Sequence, residues 1–557
     1  MSEAQRLPAG HILFLLAALL LGFWSKLGSV PLFDLDEGAF SQATVEMVDS
    51  GNYLSTTLNG EPRYDKPILI YWLQAAAVRT FGFSEWAFRL PSALCASIWL
   101  LAVYGFTFGF TGERRAALLA AGSLGLGLMP SVIGHAAIAD ALLNMLIALT
   151  MLDLYRHSVA PGLGKLLRIY LWMGLGFLTK GPIAVALPLL VSLIFYAWQR
   201  RPLQWLKAVF NPLGWLVFAA VVLPWAWALY QQDHGVFFRH FLLDHNLGRY
   251  ENTLQGHGGE PWYYLVWLPL IVLPFTALLP AALWRARQPD PLDVFLLLWF
   301  IVVFVFFSFS GTQLPHYLLY GCTPLFILFG RGWRSAPARG WVLLPALLLV
   351  AVLGALPWVL PLIHIPEQRV YERGIVALAV NSFTWTYYAL AAVALLSLLV
   401  LLLRRRTESW MAVLGAGLAL SALVWFGVVP VLAAAQQEPV RDAALRAREL
   451  DLPVVSYRTF LPSFSVYRGA VTPNRLPEPG ELVFVRLDRL PDLQAELGPQ
   501  VTLIPEFNRG GVALLLRPGA PSPAPPSSPP ASNPPKSNPP PGSSTTGPVK
   551  NSNPRPA

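Results

Sequence analysis

Apolar segments long enough to cross a bilayer recur along most of the chain, and this pattern limits the possible folds more than any other feature of the sequence. A transmembrane helix needs about 20 apolar residues, and about thirteen segments approach that length. They lie at 11–30, 87–110, 115–131, 138–155, 167–179, 182–198, 211–230, 262–284, 291–309, 317–330, 341–362, 384–403 and 411–430. Hydrophobic residues make up 55% of the 557 positions and charged residues only 13%, which is typical of polytopic membrane proteins. We therefore expect an all-α polytopic membrane protein.

Basic residues gather in every second loop between these segments. The loops concerned contain Arg114–Arg115, Arg156 with Lys165 and Arg168, Arg200–Arg201 with Lys207, Arg285 with Arg287, Arg331 with Arg334 and Arg339, and Arg404–Arg406. Because basic loops stay in the cytoplasm, the pattern predicts a cytoplasmic N-terminus and an extracytoplasmic C-terminus. It also accounts for the net charge of +9, so we expect a lipid bilayer rather than nucleic acid as the partner.

The predicted outer loop at 31–86 is too long for a simple connection. Its segment 37–48 has the spacing of an amphipathic helix with Asp36 as the N-cap, and 68–83 is a second short apolar segment. We predict that both are helices lying at the membrane interface.

The composition changes near residue 433. The region 433–518 combines a helical segment with the runs PVVSY, ELVFVRL, VTLIP and GVALLLRP, which predict strands. We therefore divide the chain into a transmembrane domain at 1–432 and a small extracytoplasmic α/β domain at 433–518. The Pro-rich segment 519–557 is predicted to be disordered, because such a composition cannot bury a core.

The outer loop carries charges that a membrane protein rarely places without a function. Asp34, Asp36 and Glu37 could supply a general base at the membrane surface, or could form a solvated loop with a helix cap. Lys66, followed by Pro67, could bind a phosphate at a helix N-terminus or could reach toward the membrane surface.

Further candidates lie at the predicted outer ends of spans. Asp140 is expected to be functional or paired, with a simple end cap as the alternative. Lys180 and Tyr317 could face the same cavity, although interfacial anchoring is the more common role of such residues. The loop 231–261 contains four histidines with Arg249, which could bind a phosphate; the histidine spacing matches no zinc signature.

The runs LFDLDEGAF, YDKPILIYWL, LTKGP, HNLGRY and QLPHYLL follow one another along residues 10–430. In this order they resemble the bacterial branch of the protein O-mannosyltransferase family, nearest to the aminoarabinose lipid A transferases. These are inverting GT-C glycosyltransferases that use a sugar carried on polyprenyl phosphate in an outward-facing cavity. Such a donor is already activated, and oxocarbenium-type transfer needs cations for the leaving phosphate and a carboxylate for the acceptor.

The resemblance implies a role for each matching position. Asp36 would be the catalytic carboxylate, Glu37 and Asp140 would be further catalytic residues, and Asp34 would be a bystander. The donor phosphate would be bound by Lys66, Lys180, Arg249 and Tyr317. Asp65 and His245 would share one divalent metal ion such as zinc, although Leu243 replaces the first histidine of the family pattern.

The expected function is therefore transfer of a sugar, such as an aminoarabinose-type pentose, from undecaprenyl phosphate. The acceptor would be a lipid A-like or other cell-envelope molecule at the outer face of a bacterial inner membrane. A protein O-glycosyltransferase of the same family, a lipid flippase or transporter, and a membrane scaffold are the alternatives. The gathering of polar residues at one face favours an enzyme, because a transporter places charges near the middle of its spans.

Overall fold

A computed structural model of the protein describes residues 8–247, 260–285, 290–404 and 406–519. Helices dominate these residues. They are α1 (Ala9–Leu19), α2 (Asp36–Ser50), α3 (Leu69–Phe81), α4 (Glu85–Thr111), α5 (Arg114–Gly125), α6 (Leu128–His135), α7 (Asp140–Val159), α8 (Leu163–Lys180), α9 (Ile183–Trp198), α10 (Pro202–Val209), α11 (Pro212–Asp233), α12 (Val236–Arg239), α13 (Tyr263–Ile271), α14 (Leu279–Arg285), α15 (Pro291–Ser308), α16 (Thr323–Arg331), α17 (Arg339–Val359), α18 (Val370–Asn381), α19 (Trp385–Leu403), α20 (Ser409–Leu423), α21 (Val429–Gln436), α22 (Glu438–Leu450), α23 (Ser463–Arg468) and α24 (Leu490–Leu497).

The apolar helices confirm a multi-pass membrane architecture. Within the described residues, six helices are individually long and apolar enough to cross a bilayer, and the number rises to eight if each of two bent pairs counts as one span. One bent pair is α5 with α6, at 60°. All of the predicted segments coincide with helical structure. Several of these helices are short or contain charged residues, such as Asp153 and Arg156 in α7. The count of thirteen spans therefore stays a prediction.

The predicted outer loop contains two helices joined by a hairpin. Strands β1 (Thr56–Leu58) and β2 (Glu61–Arg63) pair antiparallel between α2 and α3. The prediction that Asp36 caps α2 is wrong: Asp36 is the first helical residue, and Leu35 precedes it without a side-chain cap. Residues 37–47 of α2 are all buried, because α3, the hairpin and α23 pack around the helix. Helix α2 is thus a core element of this region.

The C-terminal residues form a four-stranded sheet in the order β3-β4-β6-β5. Its strands are β3 (Val454–Ser456), β4 (Leu482–Arg486), β5 (Ile504–Arg509) and β6 (Val512–Leu516). Strand β3 is parallel to β4, and the other neighbouring pairs are antiparallel. The described residues up to Pro518 make one compact unit, so the predicted boundary at 433 stays a prediction. Apart from Gly519, the predicted Pro-rich tail lies outside the described residues.

Candidate active site

A buried ion pair fixes the start of α2. The guanidinium of Arg89, on α4, donates to both carboxylate oxygens of Glu37, each at 2.7 Å. Its remaining N–H groups donate to the backbone carbonyls of Leu27, Val30 and Pro31 at 2.8–2.9 Å. The two side chains are only 3% and 5% exposed, and all five guanidinium donors are satisfied. The loop before α2 is therefore held against α4.

Glu37 also connects this loop to the turn before α7. Its carboxylate accepts hydrogen bonds from the backbone N–H groups of Phe33 at 2.8 Å and Ala137 at 2.7 Å. Because so many partners already engage the carboxylate, we interpret Glu37 as a group that positions Asp36 and not as an acid or base.

A polar cavity of about 480 Å3 lies beside Asp36. Charged and polar side chains share its wall with apolar ones: Asp36, Arg63, Asp65, Lys66, Asp140, Lys180, Thr312, His316 and Tyr317, together with Leu35, Ala39, Phe40, Leu58, Ile138, Leu314 and Phe460. Positively charged groups from α8, β2 and the segment before α3 thus face the same space. Such a cavity suits an anion carried by a less polar body.

Asp140 and Lys180 form an ion pair within this cavity. The Lys180 ammonium donates to the Asp140 carboxylate at 2.7 Å and to the Tyr320 hydroxyl at 2.8 Å. Tyr320 in turn donates to Asp140. The ammonium lies 4.9 Å from the ring centroid of Tyr317, and His316 Nε2 lies 3.8 Å from Asp140. Asp140 therefore orients a cation, which is the paired state expected for a buried carboxylate.

Asp65 is already engaged by cations. Arg63 donates to both of its carboxylate oxygens, at 2.6 and 3.1 Å, and the Lys66 ammonium lies 3.3 Å from one of them. Among the described residues, no three His, Cys, Asp or Glu side chains come close enough to share a metal ion. These residues do not by themselves fit a metal site, and the metal ion implied by Asp65 and His245 stays a prediction.

A second cavity, of about 440 Å3, is also lined by Asp36. Its wall is mostly apolar and includes Met129, Val132, Trp425 and Val429. Leu35, Asp36, Ile138 and His316 line both cavities. Within the described part of the chain, the Asp36 carboxylate has no assigned hydrogen-bond partner, although its charge acts on Arg63 and His316. Asp36 is thus placed to contact a molecule in either cavity.

The C-terminal sheet region also reaches the loop. Ser463 donates from its backbone N–H at 3.0 Å and from its hydroxyl to the Asp34 carboxylate. The Tyr467 hydroxyl accepts from the backbone N–H of Leu32 at 2.7 Å. Burial, with a smaller contribution from the charge of Glu37, raises the pKa of Asp34 from 3.8 to about 7 despite the Ser463 hydrogen bonds. Asp34 thus joins the loop to the C-terminal region, and the expectation that it is a bystander in catalysis stays a prediction.

Sequence comparison finds a matching family model and related arabinosyl transferases. The family described as dolichyl-phosphate-mannose-protein mannosyltransferase matches residues 65–227. An undecaprenyl phosphate-alpha-4-amino-4-deoxy-L-arabinose arabinosyl transferase from Aeromonas hydrophila is 31% identical over 305 residues, which are 54% of this chain and 55% of that protein. Its namesake from Pseudomonas aeruginosa is 29% identical over 387 residues, which are 66% of this chain and 69% of that protein. The match to the first relative thus spans little more than half of its length.

Structure comparison decides the fold. The crystal structure of ArnT from Cupriavidus metallidurans bound to undecaprenyl phosphate superposes with a TM-score of 0.75 at 21% identity, covering 90% of this chain and 97% of that one. The same protein in the apo state gives a TM-score of 0.73 at 22% identity. The protein has the GT-C glycosyltransferase fold. The resemblance drawn from the sequence motifs is confirmed together with the GT-C fold class.

Most of the residues predicted from the sequence lie around one space in this GT-C fold. Asp36, Asp65, Lys66, Asp140, Lys180 and Tyr317 all line the polar cavity, while Glu37 lines the apolar one. Arg249 and the side chain of His245 lie outside the described residues.

Four residues in or beside the candidate site were not predicted from the sequence: Arg63, Arg89, Tyr320 and Phe460. Arg89 was detectable, because a charged residue inside an apolar span is expected to be paired or functional. Arg63 stands two residues before Asp65, and Tyr320 stands three residues after Tyr317 on the same short helix. The position of Phe460 has no signal in the sequence.

Proposed function

We propose that this protein is an inverting glycosyltransferase that moves a sugar from undecaprenyl phosphate to a lipid A-like or other cell-envelope acceptor. The observation that carries the proposal is the polar cavity that Asp36, Lys66 and Lys180 line together. The names of the relatives from Aeromonas hydrophila and Pseudomonas aeruginosa point to the same donor and to an aminoarabinose-type sugar.

Lys66 and Lys180 supply the donor side of the reaction. When the bond between sugar and phosphate breaks, negative charge grows on the phosphate, and preorganised cations stabilise it. Lysine suits this role as a compact point charge. Asp140 and Tyr320 hold the Lys180 ammonium through direct hydrogen bonds, so that it needs little reorganisation during the reaction.

Asp36 supplies the acceptor side. Its carboxylate lines the boundary between the two cavities, where it can orient an incoming hydroxyl or phosphate and can take the proton from a hydroxyl. The apolar cavity with Trp425 and Val429 suits the hydrocarbon part of a lipid acceptor. The ion pair of Glu37 with Arg89 fixes the start of α2, where Asp36 is the first residue.

We place this chemistry at the outer face of the bacterial inner membrane. The basic loops support a cytoplasmic N-terminus by the positive-inside rule, which puts loop 31–86 and the C-terminal region outside. A donor with a long polyprenyl chain accounts for an enzyme that is embedded in the bilayer.

Replacement of the candidate base tests the proposal. Asp36→Asn should reduce transfer by about 10²- to 10⁴-fold, the usual contribution of a general base, while the protein accumulates normally. Asp49→Asn is the matched control, since Asp49 is exposed near the end of the same helix. Near-normal transfer by Asp36→Asn would rule out the mechanism.

The acceptor class needs a separate measurement. Mass spectrometry of lipid and glycoprotein fractions, from cells with and without the protein, should show a sugar-modified lipid that depends on it. Modified protein instead of lipid would favour the O-glycosyltransferase alternative. If donor moves across the membrane with no product in either fraction, the protein is a transporter.

A further inference from the structure

One residue that lines the polar cavity comes from the C-terminal region. Phe460 lies between β3 and α23, is 50% exposed, and lines the cavity that also contains Lys66 and Lys180. Charged residues, among them Lys66 and Lys180, line the same cavity as this ring. An apolar ring in such a place gains stability only when something covers it.

The other phenylalanine of the cavity cannot offer a free face. Phe40 is only 4% exposed and stacks on Tyr71, with 5.4 Å between the ring centroids. The Arg63 guanidinium lies over the Phe40 ring at 4.9 Å from its centroid. Phe40 is therefore packed, whereas Phe460 presents its ring to the cavity.

The segment that carries Phe460 is held at both ends. On one side, the Thr459 hydroxyl donates to the carbonyl of Tyr457 at 2.9 Å and accepts from the backbone N–H of Arg486 at 3.1 Å. On the other side, Ser463 donates to Asp34 in the loop that contains Asp36. The backbone segment that carries Phe460 is thus connected to the loop of the candidate active site.

We propose that Phe460 is a substrate-binding residue that stacks on the sugar ring of the donor. This inference rests on the proposed function, which places the donor phosphate at Lys66 and Lys180. The sugar is bonded directly to that phosphate, so we place it in the same cavity, which is lined by the half-exposed Phe460. A sugar ring presents an apolar face of C–H bonds, which packs against an aromatic face. The same face attracts the positive charge that develops on the sugar during transfer.

The test compares binding of two probes, undecaprenyl phosphate-alpha-4-amino-4-deoxy-L-arabinose and undecaprenyl phosphate without a sugar. Both are titrated into protein carrying Asp36→Asn, so that turnover does not interfere. Adding Phe460→Ala should weaken binding of the sugar donor about tenfold, and binding of undecaprenyl phosphate should change by less than about twofold. Phe460→Tyr should retain donor binding, and Phe460→Leu should recover only part of it.

Leu476→Ala is the matched control, because Leu476 is an exposed apolar residue of the same region and is not among the residues that line either large cavity. Equal loss of both probes, or no loss of either, overturns the proposal. In protein with Asp36 intact, Phe460→Ala should raise the donor KM and leave the acceptor KM unchanged; the opposite pattern would assign Phe460 to the acceptor. Failure of the proposed function is distinguishable, since the unmodified protein would then transfer no sugar at all.

Discussion

Ser463 donates two hydrogen bonds to the carboxylate of Asp34, which stands two residues before the candidate base Asp36. The two elements meet at Gly38, where an added Cβ would lie 2.1 Å from Asp34 Oδ1 and 2.6 Å from the backbone nitrogen of Ser463. Only glycine permits this approach, because the backbone of Ser463 cannot move aside without losing its hydrogen bond. The C-terminal region is therefore fitted closely to the loop that contains Asp36.

The stability of this contact should depend on pH through Asp34. Its pKa is raised from 3.8 to about 7 in the folded protein, so the folded state favours the protonated carboxyl. The resulting stabilisation is complete below the unfolded pKa and is lost as the pH rises through about 7. Thermal unfolding in detergent between pH 4.5 and 8 should therefore show Asp34→Asn becoming more stable relative to the unmodified protein as the pH rises. The slope should be at most about 1.4 kcal/mol per pH unit.

The control for this series is again Asp49→Asn, whose stability relative to the unmodified protein should not change across the same pH range. A difference for Asp34→Asn that stays constant, or that falls with rising pH, would contradict the raised pKa of Asp34.

Loss of the Arg89 side chain should unfold the protein more readily than loss of any exposed arginine. Arg89→Leu leaves the Glu37 carboxylate buried and unpaired, which costs about 3–5 kcal/mol. Arg89→Lys should rescue only part of this loss, since an ammonium group cannot reproduce a fork that bonds one carboxylate and three carbonyls. Unfolding temperature and accumulated protein measure both effects.

Arg79→Leu provides the comparison, because Arg79 is exposed and bonds only the Tyr53 hydroxyl among the contacts assigned to it. It should change the unfolding free energy by no more than about 0.5 kcal/mol. Similar stabilities for the Arg89→Leu and Arg79→Leu variants would show that the Glu37–Arg89 pair does not anchor the loop.

Removal of the Lys180 charge should weaken binding of undecaprenyl phosphate. Lys180→Met deletes a charge-assisted hydrogen bond worth about 1.5–3 kcal/mol, which corresponds to about 10- to 150-fold in affinity. It also strands the buried carboxylate of Asp140, so the variant should accumulate poorly. The double variant Asp140→Asn with Lys180→Met should recover accumulation without recovering affinity.

Lys207→Met is the control for this experiment, as Lys207 is exposed in α10. If the double variant binds undecaprenyl phosphate as tightly as the unmodified protein, Lys180 has only a structural role.

Sequence reasoning located the elements that depend on local pattern. The apolar segments and helices α2 and α3 follow from periodicity, and four predicted strands appear in the C-terminal sheet. One strand is displaced: VTLIP predicts 501–505, whereas β5 spans Ile504–Arg509. The strand is at the edge of the sheet, with a bulge between Pro505 and Phe507. An edge strand tolerates a proline and a bulge, and neither can be located from the alternation of apolar residues.

The sequence did not show which residues that are distant along the chain contact each other in the fold. Asp140 and Lys180 are 40 positions apart, and Glu37 and Arg89 are 52 apart. Their charge made Asp36 and Glu37 equal candidates in the sequence. The fold distinguishes them, because Asp36 lines both cavities whereas Glu37 is paired with Arg89. Phe460 was not predicted, because a single aromatic residue outside the apolar segments most often has an ordinary packing role.

The contact between Asp34 and Ser463 joins positions that are 429 residues apart. During synthesis, the ribosome produces Lys66, Asp140 and Lys180 long before it produces the residues that steady the loop and close the cavity at Phe460. A nascent chain already inserted in the membrane would thus have cations for a lipid phosphate but an unfinished wall around the sugar. Under the proposed function, we therefore expect a chain that stops before Phe460 to bind a lipid phosphate without distinguishing the sugar that it carries.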